Sequence, residues 1–170
     1  MNTHNLSFED VNELLSYNPD TGELTWKVDR GGKAKAGTIA GSIDVTTGYI
    51  TLMVKGTKQQ SHRIAWLLQT GEWPKCLLDH VNGVRTDNRL INLREATHSQ
   101  NSQNKKIRSD SRSGVKGLWY LACSRSWQAQ VVIEGKMHSK TSVNKKIVVE
   151  WLEQKRYEVH GEFANFGEFV

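Results

Sequence analysis

Residues 77–106 read LLDHVNGVRTDNRLINLREATHSQNSQNKK, and this stretch decides which fold and which chemistry to look for. Asp79 and His80 stand together, Asn92 follows twelve positions after the histidine, and Asn101 follows nine after that. A neutral imidazole can take the proton of an attacking water. A carboxylate and an amide oxygen are hard donors suited to a Mg2+-like ion, which can polarise a phosphate and stabilise charge on a departing oxygen. A strand over Leu77 to His80, a helical turn at Asp87 to Ile91, a second strand near Leu93 and Arg94 and a helix from Thr97 to about Lys106 are expected. In a regular strand Asp79 and His80 would point to opposite faces. Irregular backbone is therefore expected near Val81-Asn82-Gly83, where the Asn-Gly pair signals a turn.

The cluster of DH, NG, DNR, NLR and QNSQNKK resembles the HNH nuclease family, in its phage and intron-encoded homing endonuclease branch. Upstream, YNPDTGELTW, TGYITLMV and HRIAWLLQTGEWP extend the likeness to about the first hundred residues. The resemblance implies a ββα-metal core over about 76–104, with His80 as general base and Asp79 and Asn101 as metal ligands. It also implies that Asn92 bonds across the hairpin and holds the His80 backbone. Asn104 is an alternative to Asn101 on the same helix, but Asn101 has the better spacing. Asn101 stands where the family often has His, and this oxygen donor shifts the expected ion toward Mg2+ or Mn2+ and away from Zn2+. Many members carry paired CxxC zinc motifs. Here Cys76 and Cys123 lie 47 positions apart, so no structural zinc is expected.

At 170 residues and 37% hydrophobic, with six Trp, the chain has room for one ordinary domain or two small ones. No apolar run approaches the ~20 residues that span a bilayer, and Met1 to Asp10 lacks the order of a signal peptide. A protein of the host-cell interior, cytoplasmic and without a membrane partner, is expected. The net charge of +5 is unevenly spread: residues 1–78 carry eight basic and eight acidic side chains, whereas Ser99 to Lys146 carries ten basic against Asp110 and Glu134. A long partner with regularly spaced phosphates accounts for such a gradient. A solvated basic surface is the plainer alternative.

Ser7 and Asp10 ahead of Val11, Leu14 and Leu15 predict an N-capped short helix, closed by Asn18-Pro19-Asp20-Thr21-Gly22. Strands are expected at Leu24 to Lys27, Thr38 to Ile43, Tyr49 to Val54 and Lys58 to Ser61, with a tight turn at Lys55-Gly56-Thr57. His62 to Thr70 reads as a helix that buries Ile64, Ala65, Leu67 and Leu68 and stops at Gly71. His62 itself reads as a structural residue, with packing against the site or contact with a phosphate as alternatives. Arg85, Arg89 and Arg94 read equally as phosphate clamps or as solvated side chains.

Residues 105–114, KKIRSDSRSG, have one apolar residue and no periodicity and read as a basic linker, with Lys105, Lys106, Arg108 and Arg112 as DNA contacts. Beyond it, GVKGLWYL, SWQAQVVIEGKMHSKTSV and NKKIVVEWLEQKRYEVHGEFANF predict three strands and a helix, with a hairpin turn at Glu134-Gly135-Lys136. The 115–170 segment is similar to the plant ethylene-response-factor DNA-binding domain, most clearly in its closing HGEFANF. Where that family has Leu-Gly-x-Phe after the third strand, this chain has Ser139 to Val143. Period-two alternation sets Trp127, Ala129, Val131 and Ile133 on one face and Gln128, Gln130 and Val132 on the other. If the outer face enters the major groove, Gln128 and Gln130 reach base edges, and Lys116, Arg125, Lys136 and Lys140 hold phosphates or guanines. Trp119 is the tryptophan best placed for a DNA contact.

These readings together describe an α+β chain with a nuclease domain over 1–104, a linker and a small DNA-binding domain. The expected function is site-specific, homing-type endonuclease action on double-stranded DNA with one divalent ion. Each active site should nick one strand, in a monomer, a dimer being the alternative. A DNA-binding regulatory or structural protein on an inactive nuclease scaffold is a second reading, and an unspecific or RNA-directed nuclease a third.

Overall fold

The computed structural model describes residues 6–32, 34–103, 111–133 and 135–161. Two compact units divide the chain, Met1–Thr97 and His98–Val170. Mixed helices and small antiparallel sheets make the architecture α+β, as the sequence predicts.

The first unit begins with α1 (Phe8–Asn12), where the Ser7 hydroxyl accepts from the Asp10 amide and the Asp10 carboxylate accepts from the Ser7 amide. That reciprocal cap is the one the sequence signals. Strands β1 (Leu15–Tyr17) and β2 (Leu24–Trp26) form an antiparallel hairpin across the Asn18–Gly22 turn, with Leu15 opposite Trp26. β1 is absent from the sequence reading, which takes Leu14 and Leu15 as the end of a helical face.

Strands β3 (Ser42–Ile43), β4 (Ile50–Val54) and β5 (Thr57–Gln60) follow in a sheet of order β3-β4-β5. The strand expected from Thr38 is thus much shorter, because residues 38–40 bond elsewhere. The Trp26 amide donates to the Thr38 carbonyl at 3.0 Å and the Ala40 amide to the Leu24 carbonyl at 2.7 Å. The chain exchanges β2 for β4 at Gly41, whose φ of +101° only glycine adopts readily. Lys55 and Gly56, both at positive φ, make the two-residue turn that sets the β4–β5 register.

Helix α2 (Ser61–Thr70) leaves β5 directly and ends at Gly71 in the left-handed conformation. Ile64, Ala65 and Leu67 are buried, and α2 packs against α1, β1, β4 and β5. Val11, Leu15, Leu24, Leu52, Val54, Ile64 and Leu67 are central to the unit's core. The unit closes with the hairpin of β6 (Leu77–His80) and β7 (Leu93–Ala96). The helical turn expected at 87–91 is a 3-10 turn shifted to Leu90–Asn92.

The second unit contains α3 (His98–Gln103), a sheet of order β10-β9-β8 and α4 (Lys145–His160). Its strands are β8 (Leu118–Leu121), β9 (Ser126–Ile133) and β10 (Lys136–Ser142). Helix α4 covers one sheet face, where Leu118, Ala129, Val131, Val148 and Leu152 make a small core. Among the described residues no helix is long and apolar enough to cross a membrane.

Candidate active site

The β6–β7 register puts Asp79 opposite Arg94 and His80 opposite Leu93. Both acidic and imidazole side chains are buried, at 5% and 4% exposure. The strand is regular up to His80 and ends there. The Val81 amide bonds the Asn92 carbonyl at 2.9 Å, and the Gly83 amide turns back to the His80 carbonyl at 2.8 Å, with Gly83 at φ +67°. Irregularity therefore begins at the turn expected from the sequence. The two side chains keep the opposite sides that strand geometry gives neighbours.

On one side, Arg94 donates through Nε (3.1 Å) and Nη2 (3.0 Å) to Oδ2 of Asp79. These bonds use two of the four lone-pair sites of the carboxylate. On the other side, the His80 ring meets a cluster of rings. The His62 centroid lies 5.1 Å away and the Tyr49 centroid 5.8 Å away, with His62 and Tyr49 themselves 5.1 Å apart. Nε2 of His80 lies 3.1 Å from Oδ1 of Asn88.

The assembly follows from local chain geometry. Tyr49 immediately precedes β4, and His62 occupies the first turn of α2 just after β5, so the tight β4–β5 hairpin brings both to the same end of the sheet. Arg85 stacks over Tyr49, its guanidinium carbon 5.1 Å from the ring centroid, and donates to the Thr47 carbonyl at 2.6 Å. Asn92 ties the loop after β6: its Oδ1 accepts from the Asn82 amide at 2.9 Å and its Nδ2 donates to the Asp87 carbonyl at 2.8 Å. Asp87 accepts from Asn82 Nδ2 at 2.7 Å and from Arg89, whose hydrogen bonds chiefly hold its pKa down to about 2.

Burial lowers the His80 pKa, although the Asn88 bond and the charges of Asp79 and Asp87 pull it upward. The ring is consequently neutral at neutral pH and able to accept a proton. Burial, with His80 and Arg63 adding to it, pushes His62 down to about 3. An unfolded chain protonates this histidine near 6.5 while the folded chain does not, so the unfolded state binds more protons between those values. Stability is expected to fall as the pH drops through this window. His62→Gln should flatten the dependence of the urea midpoint on pH between neutrality and about pH 4.5; an unchanged slope would mean that His62 titrates normally.

Asn101 lies on α3, in the second unit. Lys105, Lys106, Arg108 and Asn104, with Glu134 of the expected hairpin turn and most of HGEFANF, lie outside the described residues. Arg112 is exposed, and Lys116 donates to the Ser102 carbonyl at 3.2 Å. Arg125 sits exposed in the β8–β9 turn with φ +48°. On the sheet face opposite α4, Gln128 stands between Trp119 and Thr141, and Gln130 beside Ser139. Lys136 pairs with Ile133 and Lys140 with Ala129, so both exposed lysines belong to the α4 side of the edge strand, opposite the face that carries Gln128 and Gln130.

Sequence reasoning passes over Asn88 and Tyr49 altogether and ranks a structural role first for His62. The signals lie in the quoted motifs, as the DNR triplet, the Tyr of TGYITLMV and the His that opens HRIAWLL. Only the folded chain connects them.

The HNH endonuclease family pattern matches residues 59–103, from the end of β5 through α3. Over 106 residues the chain is 37% identical to Protein 3.8 of Escherichia phage T7, covering 62% of this chain and 88% of that protein. A more distant likeness, with TM-score 0.40 and 19% identity over 91% of this chain and 90% of the other, is to the solved HNH homing endonuclease I-HmuI. The Asp79-His80 pair on β6, Asn92 across the hairpin and this kinship together show that the chain is a relative of Protein 3.8 and belongs to the HNH endonuclease family.

Proposed function

We propose that the chain is a site-specific, homing-type DNA endonuclease in which His80 deprotonates the water that attacks the scissile phosphorus. One observation carries the proposal: a buried imidazole, kept neutral by its surroundings, ends the strand that also bears a buried carboxylate. To engage both side chains, a phosphate would sit at the strand's end, where β6 stops at His80. Asn92 keeps that end in place through its bonds to Asn82 and Asp87. Asp79 and Asn101 would hold one divalent ion, Mg2+ or Mn2+.

The donor set fits such an ion. Asp79 offers hard carboxylate oxygens, oriented by Arg94, and an amide oxygen is equally hard. Among the described residues no group of three or more His, Cys, Asp or Glu converges. Few protein ligands suit Mg2+, which keeps several waters and takes substrate phosphate oxygens. Bound there, the ion would neutralise charge on the phosphate and the leaving 3′-oxygen. In a site closed from water, such stabilisation is usually the largest catalytic contribution.

Residues 105–114 would run along the DNA through Lys105, Lys106, Arg108 and Arg112. Residues 115–170 would read it in the manner of the ethylene-response-factor domain. The row of Trp119, Gln128, Gln130, Ser139 and Thr141, on the sheet face opposite α4, carries no charge and would meet base edges, while Lys116, Arg125, Lys136 and Lys140 would hold phosphates. A monomer with one such site nicks one strand per binding event.

Digestion of supercoiled plasmid with Mg2+ or Mn2+ tests the proposal. Relaxed circles should appear first, chelator should stop the reaction, and duplex competitor should inhibit better than RNA. Binding without chelator-sensitive nicking would leave a DNA-binding protein on an inactive scaffold.

A further inference from the structure

Three arginines border the proposed centre, and the structure separates them. Arg89 is paired with Asp87 at 2.6 Å and Arg94 with Asp79 at 3.0 Å. Arg85 has no carboxylate partner among the described residues. The acid of its own loop, Asp87, bonds Arg89, and Asp44, in the turn that leads to Tyr49, bonds Lys58 at 2.8 Å.

Although exposed, the Arg85 side chain is held at its tip and at its base. Its guanidinium carbon lies 5.1 Å from the Tyr49 ring centroid, and Nη1 donates to the Thr47 carbonyl at 2.6 Å. The turn carrying that carbonyl is braced in its own right. Oδ1 of Asp44 accepts from the Thr46 and Thr47 amides at 3.0 and 3.3 Å, and the Gly48 amide donates to the Asp44 carbonyl at 2.6 Å. The backbone on either side of Arg85 is pinned by the Val84 amide on Asn82 Oδ1 at 2.8 Å and by the Asp87 amide on the Val84 carbonyl at 3.1 Å. Among the described residues only one of the five N–H groups of this guanidinium is bonded.

A long side chain ordinarily loses much rotamer freedom when it grips a ligand. Here that loss precedes binding, and the planar fork of an arginine without a carboxylate partner matches the oxygens of a phosphate. Tyr49 also lies against His80, with ring centroids 5.8 Å apart, so the guanidinium stands one ring away from the proposed base. Each strand of a duplex carries a phosphate about every 3.4 Å of helix axis, and a strand presented to His80 therefore brings phosphates to Arg85 as well. We propose that Arg85, held ready by Tyr49 and the Thr47 carbonyl, binds a backbone phosphate of the strand being cut. This rests on His80 marking the cleavage centre.

The test follows affinity for a short plasmid-derived duplex in chelator, so that nothing is cut, over a range of salt concentrations. Arg85→Ala should weaken binding about tenfold to a hundredfold, the scale of one hydrogen bond to a charged group. It should also lower the slope of log affinity against log salt by about one, as expected when one phosphate contact fewer releases counterions. Arg85→Lys keeps the charge without the fork, and should keep the slope and bind between wild type and Arg85→Ala. Lys35→Ala removes an equal charge from a lysine already paired with Asp29 and should change neither quantity. Wild-type slope and affinity in Arg85→Ala overturn the proposal. Should Arg85→Ala fail to fold, Arg85→Gln, uncharged but still bearing an amide donor, is judged by the same criteria. Around a mapped nick, duplexes with a single neutral methylphosphonate at successive positions then locate the contact. A penalty that disappears in Arg85→Ala at the scissile phosphate or its neighbours supports the proposal, and one remote from the nick overturns it. His80→Ala nicking at the wild-type rate would instead sink the general-base reading, and the salt slopes would still report the phosphate contact.

Discussion

His80→Ala is expected to lower single-turnover cleavage of duplex DNA by about a hundredfold to ten-thousandfold, the usual contribution of a positioned proton acceptor, while DNA affinity stays within about twofold. The ring is buried against His62, Tyr49 and Asn88, and burial keeps it neutral. Alanine removes the proton acceptor without touching the basic residues proposed to hold phosphate. The effect should therefore fall on the chemical step. Cleavage at the wild-type rate would mean that another group activates the water. A parallel loss of affinity and of thermal stability would mean that His80 chiefly fills the space between α2 and β6.

A second large effect is expected at Asp79, and here the choice of variant matters. The carboxylate is paired with Arg94, and their side chains are only 6% and 13% exposed. Asp79→Ala would take the carboxylate away from a buried guanidinium, and breaking a buried pair costs about 3–5 kcal/mol, so lost activity could reflect lost structure. Asp79→Asn keeps the shape and an acceptor for Arg94 but removes the charge that draws a cation. It should fold, bind DNA and cleave about a hundredfold more slowly, with partial recovery at high Mg2+ or Mn2+. A Mg2+ titration superimposable on that of wild type would exclude Asp79 as a ligand.

Local signals were readable where the chemistry is local. The Ser7–Asp10 cap, the Lys55-Gly56 turn and the Gly71 stop each involve residues a few positions apart, and each stands in the structure as the sequence predicts. The β6–β7 hairpin was equally legible, because Asn82-Gly83 marks its turn and Leu77, Leu78 and Leu93 its apolar positions. β1 was not, since three residues beside a helical pattern carry no period and gain their strand character from Leu24 to Trp26. The shortening of β3 likewise depends on a change of partner at Gly41 that periodicity does not report.

Within the site, Asp79, His80 and Asn92 could be singled out because a short motif contains all three. Asn88 belongs to that motif too, but its contact with His80 depends on the path of the loop after Gly83 and on Tyr17 from the other end of the unit. His62 could not be assigned from its neighbours Ser61 and Arg63. Its place beside His80 follows from the β4–β5 register and from α2 starting where β5 ends.

That Asp79 and Asn101 grasp one cation beside His80 is tested most directly by replacing Mg2+ with Fe2+ in the DNA-bound protein, adding ascorbate and peroxide, and mapping where the polypeptide is cut by hydroxyl radicals. Breaks next to residue 79 and next to residue 101, both suppressed by excess Mg2+, are the predicted result. Breaks at only one of the two positions, or breaks indifferent to Mg2+, would contradict a shared ion.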